Sequence, residues 1–263
     1  MKIALLISTY NWKEALSLIL EGVKKQTRFP DEILIADDGS RDDTKQVIDQ
    51  FRKEISIPVK HIWQEDKGFR KSAILNKAIA QTDADYIIQI DGDCVPEKHF
   101  IEDHISSASA GLYLFGARVN ILPEYVDNVL RKRKVDFNPF SKEIKNRTRA
   151  FRLRILAFLF KPRHKISSKL RGCNMSYWRQ DFLAINGYDE DMEGWGREDS
   201  EMAIRLHNSD LKGKRLRYCG IVFHLYHKEA PRTSFEKNDK IENVTKSKKN
   251  IWCENGINKH IVK

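Results

Sequence analysis

Three groups of acidic residues in this chain stand where they could handle a metal ion, a polar ligand and a proton. Asp91-Gly92-Asp93 follows the apolar run Tyr86–Ile90. Residues i and i+2 of extended chain point to one side, so both carboxylates can face one cation. Hard oxygen ligands suit Mg2+ or Mn2+ bridging to the oxygens of a diphosphate, although the same residues also make an ordinary surface turn. Asp37-Asp38-Gly39-Ser40 ends a second apolar run, Glu32–Ala36. It reads either as an Asp-Gly turn that caps the next helix or as a carboxylate accepting hydrogen bonds from a nucleobase or ribose. Gly194-Trp195-Gly196-Arg197-Glu198-Asp199 precedes the helical pattern Ser200–Asn208. Asp199 is a good N-cap, and Glu198 and Glu201 suit the helix dipole. That accounts for the acids but not for Trp195 between two glycines. An aromatic ring on such a hinge suits stacking on a sugar face, and Asp199 beside it could take the proton from an acceptor hydroxyl. His224 and His227 end the last apolar run; they read as structural or, placed with Asp93, as completing a mixed O/N site for Mn2+.

Strand and helix patterns alternate through the first half, which argues for an α/β fold with a mostly parallel sheet flanked by helices. Strands are expected over Lys2–Ile7, Glu32–Ala36, Val59–Trp63, Tyr86–Ile90 and Leu112–Phe115, with helices over Asn11–Gln26, Asp42–Lys53, Arg70–Ala80 and His99–Ala108. In the second half, Cys173–Trp178 and Arg217–His224 read as strands, and Gln180–Ile185 and Ser200–Asn208 as helices. Ligands of open α/β sheets sit at the carboxyl ends of the strands. The segments Ser8-Thr9-Tyr10-Asn11, Asp37–Ser40 and Asp91–Asp93 would therefore converge on one edge. Neither a Gly-rich dinucleotide loop nor a Walker-type lysine loop is present, which argues against a Rossmann dehydrogenase or a P-loop enzyme.

The chain has 263 residues, 41% hydrophobic and 32% charged, with a net charge of +10. The positive excess gathers in residues 131–171 and in the tail from Lys237, and would favour a polyanionic partner. Base-stacking aromatics are not interleaved with it, so nucleic acid is not the expected partner. Ile3–Ile7 is too short for a signal-peptide core or a membrane span, and the four cysteines show no metal-ligand spacing. A cytoplasmic protein with reduced thiols is expected. Residues 147–165 surround Ile155–Phe160 with cations. They read either as a helix packed on the core or as an interfacial segment, with Phe158, Leu159 and Phe160 among lipids and Arg152, Arg154, Lys161 and Arg163 on anionic headgroups. The second reading would place the protein peripherally at the inner face of the membrane. The tail from Pro231 is polar and basic and is expected to be only partly ordered.

Taken together, the motifs resemble inverting glycosyltransferases of the GT2 type with the GT-A fold. The resemblance runs through Leu6–Asn11, Gln26 to Pro30, Glu32–Ser40, Glu65–Arg70 with Asn76, and Asp91–Asp93 at the place of the family's metal-binding DxD. The second half is similar to β-1,4-galactosyltransferases through Arg171–Ser176, Phe182–Tyr188 and Gly194–Asp199. The division this implies is a nucleotide-sugar-binding half over 1–120, a basic insertion over 121–171, an acceptor half over 172–230 and a tail over 231–263. By resemblance, Ser8, Asp38 and Asp66 contact the uridine of a UDP-sugar, and Thr9, Asn11, Asp37, Arg70 and Asp91 complete the donor-binding set. Asp93, with or without Asp91, binds Mn2+ or Mg2+, joined by His227 and by His224 three residues before it. Asp199 falls on the catalytic base, with Trp195 and Glu198 at a glycan acceptor; the interfacial reading of residues 147–165 would suit an acceptor that is a lipid-linked glycan. Two features depart from the galactosyltransferases: Arg197 replaces a small residue, and the signal-anchor and stem are missing. The competing functions are a nucleotidyltransferase, which would use the same metal–diphosphate chemistry, and a basic nucleic-acid-binding protein.

Overall fold

The computed structural model describes residues 1–228 and 233–261. Its first half runs β1 (Ile3–Thr9), α1 (Lys13–Lys24), β2 (Glu32–Asp37), α2 (Asp42–Glu54), β3 (Val59–Trp63), α3 (Lys71–Ala80), β4 (Tyr86–Asp91), β5 (Cys94–Pro96), α4 (Phe100–Ser107), β6 (Leu112–Phe115) and β7 (Ala117–Ile121). The second half runs α5 (Val126–Arg131), β8 (Ile144–Lys145), α6 (Arg154–Ala157), β9 (Asn174–Trp178), α7 (Arg179–Ala184), α8 (Glu198–Asn208), β10 (Lys212–Arg215), β11 (Ile221–His224) and α9 (Phe235–Lys248). The four expected helices of the first half and the strands around them stand where the apolar periodicity placed them, give or take two residues.

Among the described residues the strands form two sheets. The larger has the order β10-β6-β9-β4-β1-β2-β3 and is parallel except for β9, which runs against β4 and β6. Because β9 lies between β4 and β6, the two halves of the chain share one sheet. Burial explains why β1 and β2 read as unbroken apolar runs. Along β1, Ile3, Leu5 and Ile7 enter one core cluster while Ala4 and Leu6 enter the other, and all are fully buried. A strand covered on both faces needs apolar residues at every position, not at alternate ones. Each such Leu or Ile contributes about 1.5–3 kcal/mol of burial.

The smaller sheet, β5-β11-β7-β8, was not foreseen. β5 is only three residues long and follows β4 after a two-residue turn, so it carries no periodicity of its own. It nevertheless decides where the site lies. Cys94 pairs with His224 in the antiparallel β5–β11 ladder, and Leu225 N–H donates to the Asp93 carbonyl at 2.9 Å. Asp91–Asp93 thus forms the corner where the chain passes from one sheet to the other. Gly92 is needed there, since a Cβ would lie 2.7 Å from the Ser8 carbonyl oxygen.

Two expectations are corrected. The tail over the described residues 233–261 is ordered: α9 spans fourteen residues and packs against α8, and Asn238, Thr245, Cys253 and Ile257 are buried. The expected boundary between 230 and 231 lies outside the described residues. Residues 147–165 are not a helix packed on the core either. Only Arg154–Ala157 is α-helical, and Ile155 is 82% exposed. The four cysteines are buried and free, and among the described residues no helix is long and apolar enough to cross a membrane.

Candidate active site

Parallel register brings the first strand ends together. Thr9 lies opposite Asp37, and Ser8 lies opposite both Ala36 and Asp91. Within this edge the acids have different tasks. Asp37 is buried, accepts the Ser40 N–H at 2.8 Å and lies 2.9 Å from His61 Nε2, so it builds the turn. Asp38 accepts from Gln64 Nε2 and, at 2.8 Å, from the Arg70 N–H; burial pushes its carboxyl up despite these donors. Asp66 is exposed and receives the Tyr10 hydroxyl at 2.9 Å and the Gly68 N–H at 3.1 Å. It lies against Gly39, whose φ of 101° and lack of a Cβ permit the approach. Asn11, at φ 45°, donates its N–H to Ser40 Oγ and accepts the Arg41 N–H on its side-chain oxygen. The Arg70 guanidinium bonds the Glu65 carbonyl and leaves Nε without a partner.

Asp93, His224 and His227 form a compact trio, with one ligand atom from each within 4.8 Å of the others. Asp93 Oδ2 lies 3.1 Å from His227 Nε2 and 3.6 Å from His224 Nε2. Ligands about 2.1 Å from an octahedral ion lie ~3 Å apart when adjacent, so this O/N/N set fits a Mn2+-like ion after small shifts. Burial opposes the Asp93 charge, but the His227 hydrogen bond and the two imidazoles hold its carboxyl down to about 2. The Asp93 hydrogen bond in turn raises His227 to about 9, while burial lowers His224.

Asp91 lies outside this trio. Its Oδ1 accepts Ser8 Oγ at 2.8 Å and Lys71 Nζ at 2.7 Å. The same ammonium lies 3.9 Å from Glu198 Oε1. Burial opposes the charge on Lys71, yet Asp91 and Glu198 push its pKa well above the ordinary lysine range. Glu198 is itself pushed up to about 7 by burial and then by Asp199, with Lys71 pulling the other way. Lys71 escaped the sequence reading. The available signal was a cation at the first position of a helix, where the dipole disfavours positive charge.

Asp199 is held by backbone. Its Oδ2 accepts the Gly172 N–H at 2.6 Å and its Oδ1 the Ser200 N–H at 2.7 Å. Gly172 is fixed from β4, because Gln89 Nε2 donates to its carbonyl at 3.0 Å. The segment leading to Asp199 is braced by the tail. Trp195 stacks on Phe235 with ring centroids 6.3 Å apart, and Asn238 Nδ2 donates to the carbonyls of Glu193 and Gly196 at 3.0 Å each. Arg197 pairs with Asp239 at 2.6 Å and Glu242 at 3.4 Å and lies over the Phe235 ring. A Cβ on Gly194, at φ 76°, would strike Ser234 at 2.5 Å. The residue that departs from the galactosyltransferase pattern is therefore the one that docks α9.

The sequence matches the model of glycosyl transferase family 2 over residues 4–170 and that of the N-terminal domain of galactosyltransferase over 154–228. The chain belongs to glycosyl transferase family 2. The glycosyltransferase assignment thus holds at family level. Validoxylamine A glucosyltransferase of Streptomyces hygroscopicus subsp. limoneus is 26% identical over 78% of this chain and 48% of its own length. Chondroitin synthase of Pasteurella multocida is 23% identical over 78% of this chain and 23% of its own. The chain thus spans half or less of the length of these relatives. Among solved structures, S. aureus TarS 1–349 in complex with UDP superposes with a TM-score of 0.60 at 15% identity, covering 93% of this chain and 65% of that one. The mannosyltransferase PcManGT of Pyrobaculum calidifontis, in complex with GDP-Man and Mn2+, also gives 0.60 at 15% identity, covering 94% and 61%. These likenesses establish the GT-A fold for the chain.

Proposed function

We propose that this chain transfers a hexosyl or N-acetylhexosaminyl unit from a UDP-sugar to a hydroxyl of a glycan acceptor, with inversion. The setting we propose is synthesis of a bacterial cell-surface polysaccharide or lipopolysaccharide on a lipid-linked acceptor. One observation carries the reading: a single ammonium, Lys71, reaches both Asp91 of the donor edge and Glu198 beside Asp199. A sugar anomeric carbon between those two sides would meet a diphosphate on one side and a base on the other. The bound UDP in TarS and the GDP-Man with Mn2+ in PcManGT support the donor class.

Asp93, His224 and His227 would hold the divalent ion, which supplies positive charge to the diphosphate oxygens when bound. Ser8, Asp38 and Asp66 would receive the uridine. Trp195 would lie against the acceptor sugar, with Glu198 accepting from one of its hydroxyls. Asp199 takes the proton from the attacking hydroxyl as that oxygen bonds to the anomeric carbon. The carbon–oxygen bond to the diphosphate breaks on the opposite face, and the electron pair leaves with UDP. One base and one displacement invert the centre.

The test is a panel of nucleotide sugars with a mixture of glycan acceptors and Mn2+, followed by identification of the released nucleotide and of the new anomeric configuration. Release of nucleoside diphosphate with inverted configuration is expected. Release of inorganic diphosphate would identify a nucleotidyltransferase, and retention would reject Asp199 as the base of a single displacement.

A further inference from the structure

Residues 151–165 form a surface that the transfer reaction does not use. Within it Ile155, Phe158 and Leu159 are 82%, 61% and 59% exposed. These positions are spaced i, i+3 and i+4, so they share one face of a helical turn. Ala157 and Phe160 take the opposite face: Ala157 packs on the core and Phe160 lies edge-on to Tyr218. The segment therefore has its own inner contacts and a second apolar face with none.

That outer face is held in place by anchors at both ends. Leu153 N–H donates to the Tyr218 carbonyl at 2.9 Å, Arg163 exchanges backbone hydrogen bonds with Gly213, and Arg152 grips buried Asp103 through Nε at 3.0 Å and Nη2 at 2.7 Å. Arg152 is thus engaged by Asp103, and Arg154 pairs with Glu102 at 3.3 Å, so both cations of the segment's start already have acidic partners.

Other cations ring the face. Lys161, Arg163 and Lys165 follow it directly and are exposed. Across the Arg163–Gly213 bridge stand Lys212, Lys214, Arg215 and Arg217. These charges crowd one another: burial lowers the pKa of Arg215, Arg217 and Arg149 lower it further, and its Nε has no hydrogen-bond partner. A bulky aliphatic and aromatic face inside a rim of mutually repelling cations calls for a partner with an apolar interior and a negative surface. A second copy of this chain is a poor occupant, because a two-fold contact would press the cationic rim against itself. Nucleic acid offers the charge but no place for Ile155 and Leu159.

We propose that this face docks on an anionic lipid surface, with Ile155, Phe158 and Leu159 inserted at the acyl boundary and Lys161, Arg163 and Lys165 against the headgroups. The proposal does not depend on the transfer chemistry.

Flotation with vesicles of phosphatidylcholine alone, or mixed with phosphatidylglycerol, tests it on the full chain. The native protein is expected to float with the mixed vesicles at low salt, to be released by high salt, and to ignore phosphatidylcholine alone. Phe158→Ser/Leu159→Ser should lower partitioning about tenfold or more. Lys161→Gln/Arg163→Gln/Lys165→Gln should lower it roughly a hundredfold, at about fivefold per cation. Both variants should keep the native melting temperature and the native rate on a soluble acceptor. Failure of the native protein to float at low salt overturns the proposal. So does undiminished flotation of Phe158→Ser/Leu159→Ser, which would mean a charge-only contact that nucleic acid could equally make. Concentration-dependent dimerisation that this variant abolishes would assign the face to a second copy instead.

Discussion

The strand edge proposed for the donor and the segment proposed for the acceptor are built differently. At the strand edge, Ser8, Asp38 and Asp91 stand on or just after strands whose apolar residues are fully buried, and their positions follow from strand register. On the other side, Glu198 and Asp199 open α8 directly after a turn with Gly194, Gly196 and Arg197 all at positive φ. That turn keeps its shape because α9, drawn from the end of the chain, lies against it. One side is rigid through its own backbone, and the other is rigid only while a distant helix is docked. Perturbations should therefore separate donor binding from acceptor use.

The largest effect is expected at the base. Asp199→Asn keeps the size of the side chain and one of its two backbone acceptors but cannot take a proton, so turnover should fall about 10²–10⁴-fold. UDP affinity, measured by calorimetry on the folded variant, should stay within about twofold if the two sides are separable in the way binding and chemistry usually are. Near-normal turnover would remove Asp199 from the mechanism.

A smaller effect is expected from undocking the tail. Arg197→Ala combined with Phe235→Ala removes two ion pairs, a cation–π contact and the Trp195 stack. The acceptor KM should rise about tenfold, equivalent to about 1.4 kcal/mol, while the donor KM stays unchanged. A parallel rise in both would show that the sides are not independent.

How legible each side was in the sequence follows from the same difference. The apolar run of β1 ends in Ser8-Thr9 and those of β2 and β4 end in Asp37 and Asp91, so both the strands and their polar tips could be read. The edge strand β10 is Lys-Gly-Lys-Arg, with no apolar residue to mark it. The helix α9 docks through Asn238, Thr245 and the partners of Arg197 more than through an apolar stripe, so periodicity could not reveal that the tail is ordered. Asp199 was readable from its motif, but its support by Gly172 and Gln89 comes from residues far apart in sequence.

A further predicted effect is on stability rather than on activity and concerns Glu198, which lies between Lys71 and Asp199. Its carboxyl is raised to about 7, above its ordinary value, mainly by burial. A carboxyl raised on folding favours the protonated form, so stability is present at low pH and is lost as pH rises from the ordinary carboxylate range through about 7. Glu198→Gln should abolish that loss. The variant should gain about 1–3 kcal/mol relative to the native chain between pH 5 and pH 8, seen as about 2–4 °C in Tm per kcal/mol. Equal pH dependence in the two proteins would mean that Lys71 outweighs burial.

The central claim is that the corner between the two sheets gathers a metal site for the donor diphosphate from Asp93, His224 and His227, while Asp91 is held by Lys71 and Ser8. Titration of Mn2+ followed by electron paramagnetic resonance, in the presence of UDP, tests this most directly. The account predicts one bound ion in the native protein, lost or weakened at least about tenfold, or about 1.4 kcal/mol, in Asp93→Ala and in His227→Ala, and retained in Asp91→Asn. Native-like Mn2+ binding by Asp93→Ala, or loss of the ion only in Asp91→Asn, would contradict it.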